Sequence, residues 1–239
     1  ALIVHSISHL LVQQGSNVTT YSDHLTGFGP WLQGFQFAKQ PQLESIEDEF
    51  SGCDALFLQH DNSPKAIRIK KLPLPVYTFY GAHVPSKHGP LQEKFDYVCD
   101  RTKSMVENIA LAAEKFFGAP WKDNGLRPPK GLMQNRYGKR IAIHPTASSL
   151  EKTWPREKFL NLQSALKAEG YDPVFTVSPS ERVLWNAPLF PTLGDLASFL
   201  YESRAFIGND SGTGHLASSL GLPHLIIGGN GLQMPLWRT

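Results

Sequence analysis

Apolar stretches of two kinds alternate along the chain. In Ala1 to Gln14 the apolar residues Leu2, Ile3, Ile7, Leu10 and Leu11 recur with the spacing of one helical face, which predicts a helix. Asn17 to Tyr21 reads as a short strand and Leu43 to Phe50 as an acidic helix. Ala55 to Leu58 and Val76 to Tyr80 read as strands. Lys103 to Phe117 is a strong helical pattern, with Met105, Ile109, Ala112, Ala113 and Phe116 on one stripe. Between Gly118 and Lys139 the pattern stops. Pro120, Gly125, Pro128, Pro129, Gly131 and Gly138 break regular structure there, and the surplus of Lys and Arg reads as solvated. An interdomain linker is one reading of this segment; a long loop inside one domain is the other.

The alternation then restarts: a strand at Arg140 to His144, a helix at Pro155 to Glu169, and a strand at Asp172 to Val177. A helix follows at Thr192 to Ser203, opened by Thr192 with Asp195 three residues on, the spacing of a capping box. A strand at Ala205 to Gly208, a helix at Thr213 to Leu220 and a strand at His224 to Ile227 complete the pattern. Strands separated by helices predict an α/β fold with parallel sheets, the second half resembling half of a doubly wound arrangement.

Composition narrows the function classes. At 41% hydrophobic residues and 18% charged, the 239-residue chain has enough apolar surface for a core and too little charge for disorder. Its 23 basic and 21 acidic residues leave a formal charge of +2 with no basic run, which argues against nucleic acid as a partner and against an anionic membrane as the main one. Cys53 and Cys99 alone cannot build a disulfide framework or a Cys-rich metal site, and a reducing, cytoplasmic setting is the expectation. No apolar run approaches the ~20 residues that span a bilayer.

In open parallel sheets, ligands bind beyond the carboxyl ends of the strands. Three loops leave the second half at that edge. The first runs from His144 to Pro155. It places small hydroxyl residues at the strand tip, then Lys152, then Trp154-Pro155 at the start of a helix. Lys152 could meet a phosphate as a point charge; the bland reading is a solvated Lys152 and a core Trp154. The second loop holds Glu181, a carboxylate placed to accept hydrogen bonds from a ribose or, equally, to sit at a helix start. The third runs from Gly208 to Ala217. Gly212 and Gly214 would let the backbone approach a ligand, and the first helical turn offers N–H groups to a phosphate. Asp210 and His215 lie beside it; the alternative makes Asp210 an N-cap and His215 a core residue.

Other chemistries lack their motifs. The Gly-rich turn has neither the Lys-Ser/Thr ending of a P-loop nor the G-x-G-x-x-G spacing of a dinucleotide fold. No G-x-S-x-G elbow is present, and the nine His residues show no H-E-x-x-H or comparable metal spacing. His5, His9, His60, His83 and His88 read as scattered surface or core residues.

Together the three loops resemble the nucleotide-sugar domain of glycosyltransferase family 9, the ADP-heptose:lipopolysaccharide heptosyltransferases. The matching residues are His144-Pro145-Thr146-Ala147-Ser148, with Thr146 where the family has Gly, and Lys152-Thr153-Trp154-Pro155. Glu181, Asp210-Ser211-Gly212, His215-Leu216-Ala217, Gly221-Leu222-Pro223 and Ile226-Ile227-Gly228 complete the match. The resemblance is strong over residues 138 to 229 and rests on pattern alone over the first 117.

The resemblance implies a GT-B architecture, two Rossmann-like domains whose parallel sheets face a central cleft. The expected division is an acceptor-side domain at 1–120, a linker at 121–138 and a nucleotide-sugar domain at 139–239. It implies an inverting, metal-independent transfer of a sugar, a heptose, from a nucleotide diphosphate such as ADP-heptose to a lipopolysaccharide core or related glycan. No cofactor is implied beyond that donor substrate, and a peripheral contact with the inner membrane face is a further expectation. Carried over residue by residue, Lys152 neutralises the departing diphosphate, while Ser148 and the backbone of Ser211, Gly212 and Thr213 donate hydrogen bonds to it. Glu181 holds the ribose, Asp210 the sugar hydroxyls, and His215 orients the site.

Two departures qualify the match. Family members begin with a strand and a Gly-Asp loop whose Asp serves as base. Ala1 to Gln14 matches the helix after that loop, so the first strand and that Asp are expected to be missing, with Asp23 and Asp61 as substitutes. Thr239 arrives before the family's closing segments, so the second domain is expected to be incomplete. The alternatives are a nucleotide-sugar-binding protein without transfer activity, or a GT-B nucleotide-sugar epimerase. Lys65, Arg68, Lys70 and Lys71 could meet an acidic acceptor, or form a solvated helix face.

Overall fold

A computed structural model describes residues 2–228. The first half comprises α1 (Leu2–Gln13), β1 (Thr19–Tyr21), β2 (Gln36–Ala38), α2 (Ile46–Glu49), β3 (Leu56–His60), α3 (Pro64–Ile69), β4 (Val76–Tyr80), α4 (Pro85–His88), β5 (Asp96–Val98) and α5 (Met105–Phe117). Every strand pairing in it is parallel, but the five strands form two sheets, β1-β2 and β3-β4-β5. The short strands β2 and β5 and the helices α3 and α4 escape the hydrophobic pattern, because three to six residues are too few to establish a period.

Helix α5 forms where its stripe predicts, and its ends are specified chemically. The Ser104 hydroxyl accepts from Glu107 N–H at 3.2 Å and the Glu107 carboxylate accepts from Ser104 N–H at 2.8 Å. Gly118 ends the helix in the left-handed conformation, φ 77°. The buried stripe Met105, Ile109, Ala112 and Ala113 packs with Ile7 and Leu10 of α1 and Phe79 of β4.

From Gly118 to Arg136 the chain is irregular, as the prolines and glycines require. It is not solvated throughout: Leu126 is buried, and Arg127 N–H donates to the Trp31 carbonyl at 2.9 Å.

The second half comprises β6 (Tyr137–His144), α6 (Arg156–Ala168), β7 (Asp172–Phe175), α7 (Arg182–Trp185), α8 (Leu193–Tyr201), β8 (Ser203–Asn209), α9 (Gly212–Ser219) and β9 (His224–Ile227). Residues 229–239 of the expected second domain lie outside the described residues. The strands form one parallel sheet in the order β7-β6-β8-β9. Alternation along β6 divides the core: Ala142 faces a cluster with Phe206, Leu216 and Leu200, while Ile141 and Ile143 face Phe159, Phe175 and Trp185. Leu25, Phe28, Trp31 and Leu32 of the first half join the first of these clusters, and Trp31 Nε1–H donates to the Gly194 carbonyl at 3.2 Å.

The strand order fixes the functional edge. The chain moves from β6 outward to β7, then returns across β6 to β8, so connections leave β6 and β8 in opposite directions. This is the topological switch point of an open parallel sheet, where a crevice forms beyond the carboxyl ends.

Candidate functional site

The loops after β6 and β8 meet at that switch point. Lys152 Nζ lies 3.0 Å from Asp210 Oδ2, and His215 Nε2 lies 3.7 Å from Asp210 Oδ1. The sequence places these residues 58 and five positions apart; the β6-β8 register (His144 opposite Gly208) closes the longer separation. Asp210 is available because it is not the helix cap. Ser211 caps α9, its hydroxyl accepting from Gly214 N–H at 3.3 Å, which leaves the Asp210 carboxylate to face Lys152 and the His215 ring.

The pair is only part-exposed, with 43% of the Lys152 side chain and 19% of the Asp210 side chain open to solvent. Burial pushes the His215 imidazole below the ordinary value of 6.5, against the opposing pull of Asp210. Gly212 and Thr213 occupy the first turn of α9, where N–H groups have no carbonyl of their own helix to bond. The site therefore presents a movable cation, a helix N-terminus and a carboxylate. That set can exchange an internal ion pair for an incoming anion.

The two glycines of this turn divide their work. A Cβ on Gly212 would meet open space, whereas one on Gly214 would lie 2.8 Å from Ile226 Cδ1. Gly214 thus serves packing of α9 against β9, which corrects the expectation that both admit a ligand.

Glu181 stands on the loop after β7. Its carboxylate accepts from the Ser178 hydroxyl at 2.6 Å and from Thr146 Oγ1 at 3.4 Å, and it makes no side-chain cap to α7. Thr146, at the position where a glycine is the expectation, also lies 3.4 Å from Nε2 of His144. The His144 ring is pushed down by burial, opposed by the hydrogen bond of its Nδ1–H to the Thr176 carbonyl and by Glu181. The loop after β6 therefore touches both groups, Glu181 through Thr146 and Asp210 through Lys152. Ser148, between them, is exposed on that loop.

Several residues at the first half's edge are otherwise engaged. Asp23 Oδ1 accepts from Gln40 N–H at 3.2 Å, and Asp61 Oδ1 accepts from Ser63 N–H at 3.0 Å. Burial raises the Asp61 carboxyl, but the hydrogen bonds from Ser63 outweigh it and the net direction is down. Within the basic cluster, Arg68 makes a bidentate pair with Glu47 at 2.6 and 2.7 Å, and Lys70 is paired with buried Asp96. These two members of the cluster therefore already have acidic partners within the chain.

Sequence reasoning missed two features. His60, His83 and His88 are not scattered: His88 lies with its ring centroid 4.9 Å from that of His60 and 5.2 Å from that of His83, beside Tyr80. They gather because β3 and β4 end side by side, a pairing of residues twenty positions apart that no local motif announces. Asn209 is the second. It is 0% exposed, and its side-chain amide reaches both feet of the loop after β6. The only sequence signal was its place at a strand end immediately before Asp210.

Among the described residues, no group of three or more His, Cys, Asp or Glu is arranged to hold a metal ion, and no helix is long and apolar enough to cross a membrane. A cavity of about 380 Å³ lined by Ser6, Lys122, Asn124 and Ser218 lies toward the far end of α9, and none of the three loops lines it.

Comparison with known proteins places these observations. Residues 88–230 match the model of glycosyltransferase family 9 (heptosyltransferase). Lipopolysaccharide heptosyltransferase 3 of Escherichia coli K12 is 28% identical over 162 residues, covering 60% of this chain and 43% of that protein, so the match spans less than half of that relative's length. Among solved structures, E. coli ADP-heptose lipopolysaccharide heptosyltransferase II aligns over 99% of this chain and 84% of its own, with a TM-score of 0.68 and 17% identity. E. coli heptosyltransferase WaaC with ADP gives a TM-score of 0.68 at 13% identity over 99% and 86%.

Proposed function

The chain belongs to glycosyltransferase family 9 and has the GT-B fold of two α/β halves, and on that premise we propose that it transfers a sugar from a nucleotide diphosphate donor to a glycan. The donor of our reading is ADP-heptose, the acceptor a lipopolysaccharide core or related glycan, and the transfer is inverting and independent of metal. The observation that carries this reading is the Lys152–Asp210 pair across the β6/β8 switch point, beside the N-terminus of α9.

The chemistry follows from where charge develops. In the transfer an acceptor hydroxyl forms the new bond to the sugar C1 and gives up its proton to a base, while the C1–O bond to the diphosphate breaks through an oxocarbenium-like ring and places negative charge on the departing diphosphate. Fixed donors aimed at that group lower the barrier without reorganising. In this reading Lys152 leaves Asp210 to neutralise the diphosphate, and the N–H groups of Ser211, Gly212 and Thr213 with the Ser148 hydroxyl bond its oxygens. Asp210, released from Lys152, takes the sugar hydroxyls, His215 orients it, and Glu181 holds the ribose. The positive charge supplied by Lys152 and the helix terminus is the argument for metal independence.

The test is direct. Calorimetry with ADP and ADP-heptose should show binding that Lys152→Ala weakens. With a deacylated lipopolysaccharide core as acceptor, ADP release should accompany a product of inverted anomeric configuration by NMR. Full activity of Lys152→Ala would remove the diphosphate assignment. Donor binding without ADP release would keep the site and sink the transfer.

A further inference from the structure

Asn209 is fully buried at the last position of β8, one residue before Asp210. Its Oδ1 accepts from Trp154 N–H at 3.0 Å and its Nδ2–H donates to the Pro145 carbonyl at 2.8 Å. Pro145 is the first residue after β6, and Trp154 precedes the proline that leads into α6. One amide therefore pins both feet of the segment 146–153, which carries Thr146, Ser148 and Lys152. Within that segment the backbone hydrogen bonds are local, Lys152 N–H to the Ser149 carbonyl at 3.2 Å and Thr153 N–H to the Leu150 carbonyl at 3.0 Å, and its longer-range bonds are made by side chains, Thr146 to Glu181 and Lys152 to Asp210. The local backbone bonds shape a turn, and the backbone feet of that turn are tied to the sheet by Asn209. The task requires a donor and an acceptor on one short planar group, which Asn provides, and Gln is a methylene too long.

We propose that Asn209 is the positioning residue of the site: it sets the reach of Lys152 by tying the loop after β6 to the strand end that presents Asp210. The proposal rests on the reading of this edge as a nucleotide diphosphate site and adds to it the residue that holds the cation in range. Asn209 touches no ligand in this account and acts through Lys152.

A double-mutant cycle with ADP as the probe tests this, with Kd from calorimetry and folding followed by circular dichroism. In the otherwise unchanged protein, Lys152→Ala should weaken ADP binding roughly ten- to hundredfold, the worth of a charge-assisted contact. In the near-isosteric Asn209→Leu background the same substitution should cost less than about twofold, because the cation is no longer held in place. A residue that only stabilised the fold would leave the Lys152 effect unchanged.

Asn209→Asp supplies a second arm, which also serves if Asn209→Leu fails to fold. A protonated carboxyl offers one donor and one acceptor, as the amide does, and burial favours that form. The Lys152→Ala penalty in this background should match the parent protein at about pH 5 and shrink toward about pH 9 as the carboxyl ionises against the Pro145 carbonyl. An equal Lys152→Ala penalty in the parent and in every folded Asn209 variant at both pH values overturns the positioning role while leaving the nucleotide site standing. Absence of ADP binding by the parent protein takes down the nucleotide reading, and the positioning role with it.

Discussion

The two halves of the molecule end their parallel strands in different kinds of polar surface. At the carboxyl edge of β6 and β8, unlike charges meet across a single continuous sheet, with Lys152, Asp210 and His215 gathered beside a helix N-terminus. At the carboxyl edge of β3 and β4, three imidazoles gather beside Tyr80, bonded to nearby backbone and, from His88 Nε2–H, to Asn62 Oδ1 on the neighbouring loop. His88 Nδ1 accepts from Val84 N–H at 2.9 Å, His60 Nδ1 accepts from Asn62 N–H at 3.2 Å, and His83 Nε2–H donates to the Gly89 carbonyl at 3.1 Å. Burial pushes His60 and His88 down, which favours neutral rings. Polar residues at a strand tip are therefore not equivalent. An ion pair is a set of charges that a charged ligand can displace, whereas rings bonded to the backbone and side chains of their own edge mainly hold its shape.

The largest expected effect comes from removing a buried anchor that the charged edge stands on. Phe159 is fully buried under β6, and Phe159→Ala should cost about 3–5 kcal/mol of stability, read by denaturant unfolding. A loss below about 1 kcal/mol would mean that the sheet under the site is not packed as described.

Next in size is the chemistry. Lys152→Ala should lower sugar transfer by about 10²–10³-fold with the melting temperature little changed, since the side chain is 43% exposed. Asp61→Asn, at the opposite edge, should stay within about threefold of the parent, because that carboxylate is occupied by Ser63 and is weakly basic. A collapse of activity in Asp61→Asn would reverse the contrast between the edges and make Asp61 the base.

A smaller effect separates the edges by proton uptake. His215 sits beside the proposed diphosphate position with its affinity for a proton lowered by burial, and an arriving anion should raise it. His215 should therefore take up protons as ADP binds near pH 6.5, read as the difference in proton exchange between the parent and His215→Gln by calorimetry in buffers of different ionisation heat, since the titration of the ADP phosphate is common to both. His215→Gln should shift the exchange toward proton release, and His60→Gln should leave it as in the parent.

The smallest effect is on the pH dependence of stability. His5, His60, His88, His144 and His215 all have proton affinities lowered by folding, so near and below 6.5 the unfolded chain binds more protons than the native one. The stability that depends on neutral rings is present above the ordinary His value and is lost as pH falls from there through the lowered values of the folded state. Unfolding monitored between about pH 8 and pH 5 should show this decline, and a flat profile would contradict the burial of these rings.

How much of this was legible depended on the range of the interaction. The Ser104–Glu107 and Thr192–Asp195 boxes were written into residues three apart, and both formed. Thr192–Asp195 was recognised from the spacing alone, because a helix N-terminus is closed by groups within one turn. Asp210 shows the limit of the same reasoning: its position before a helix suited an N-cap, yet the cap is Ser211, because a one-residue shift of the helix start transfers the role. Gly214 looked like a ligand-facing glycine until β9 was packed against it.

The sequence by itself determined the alternation of the longer strands and helices, the irregular course of the Pro- and Gly-rich segment, and the residue types of the three loops. Those are properties of periods and turns that a few neighbouring residues enforce. Only the tertiary structure decided the partners. Lys152 finds Asp210, Asn209 spans Pro145 and Trp154, and His60 finds His88 because parallel pairing brings strand ends together across long stretches of chain. Such contacts depend on strand order and register, which are settled by burying all the apolar faces at once rather than by any one segment.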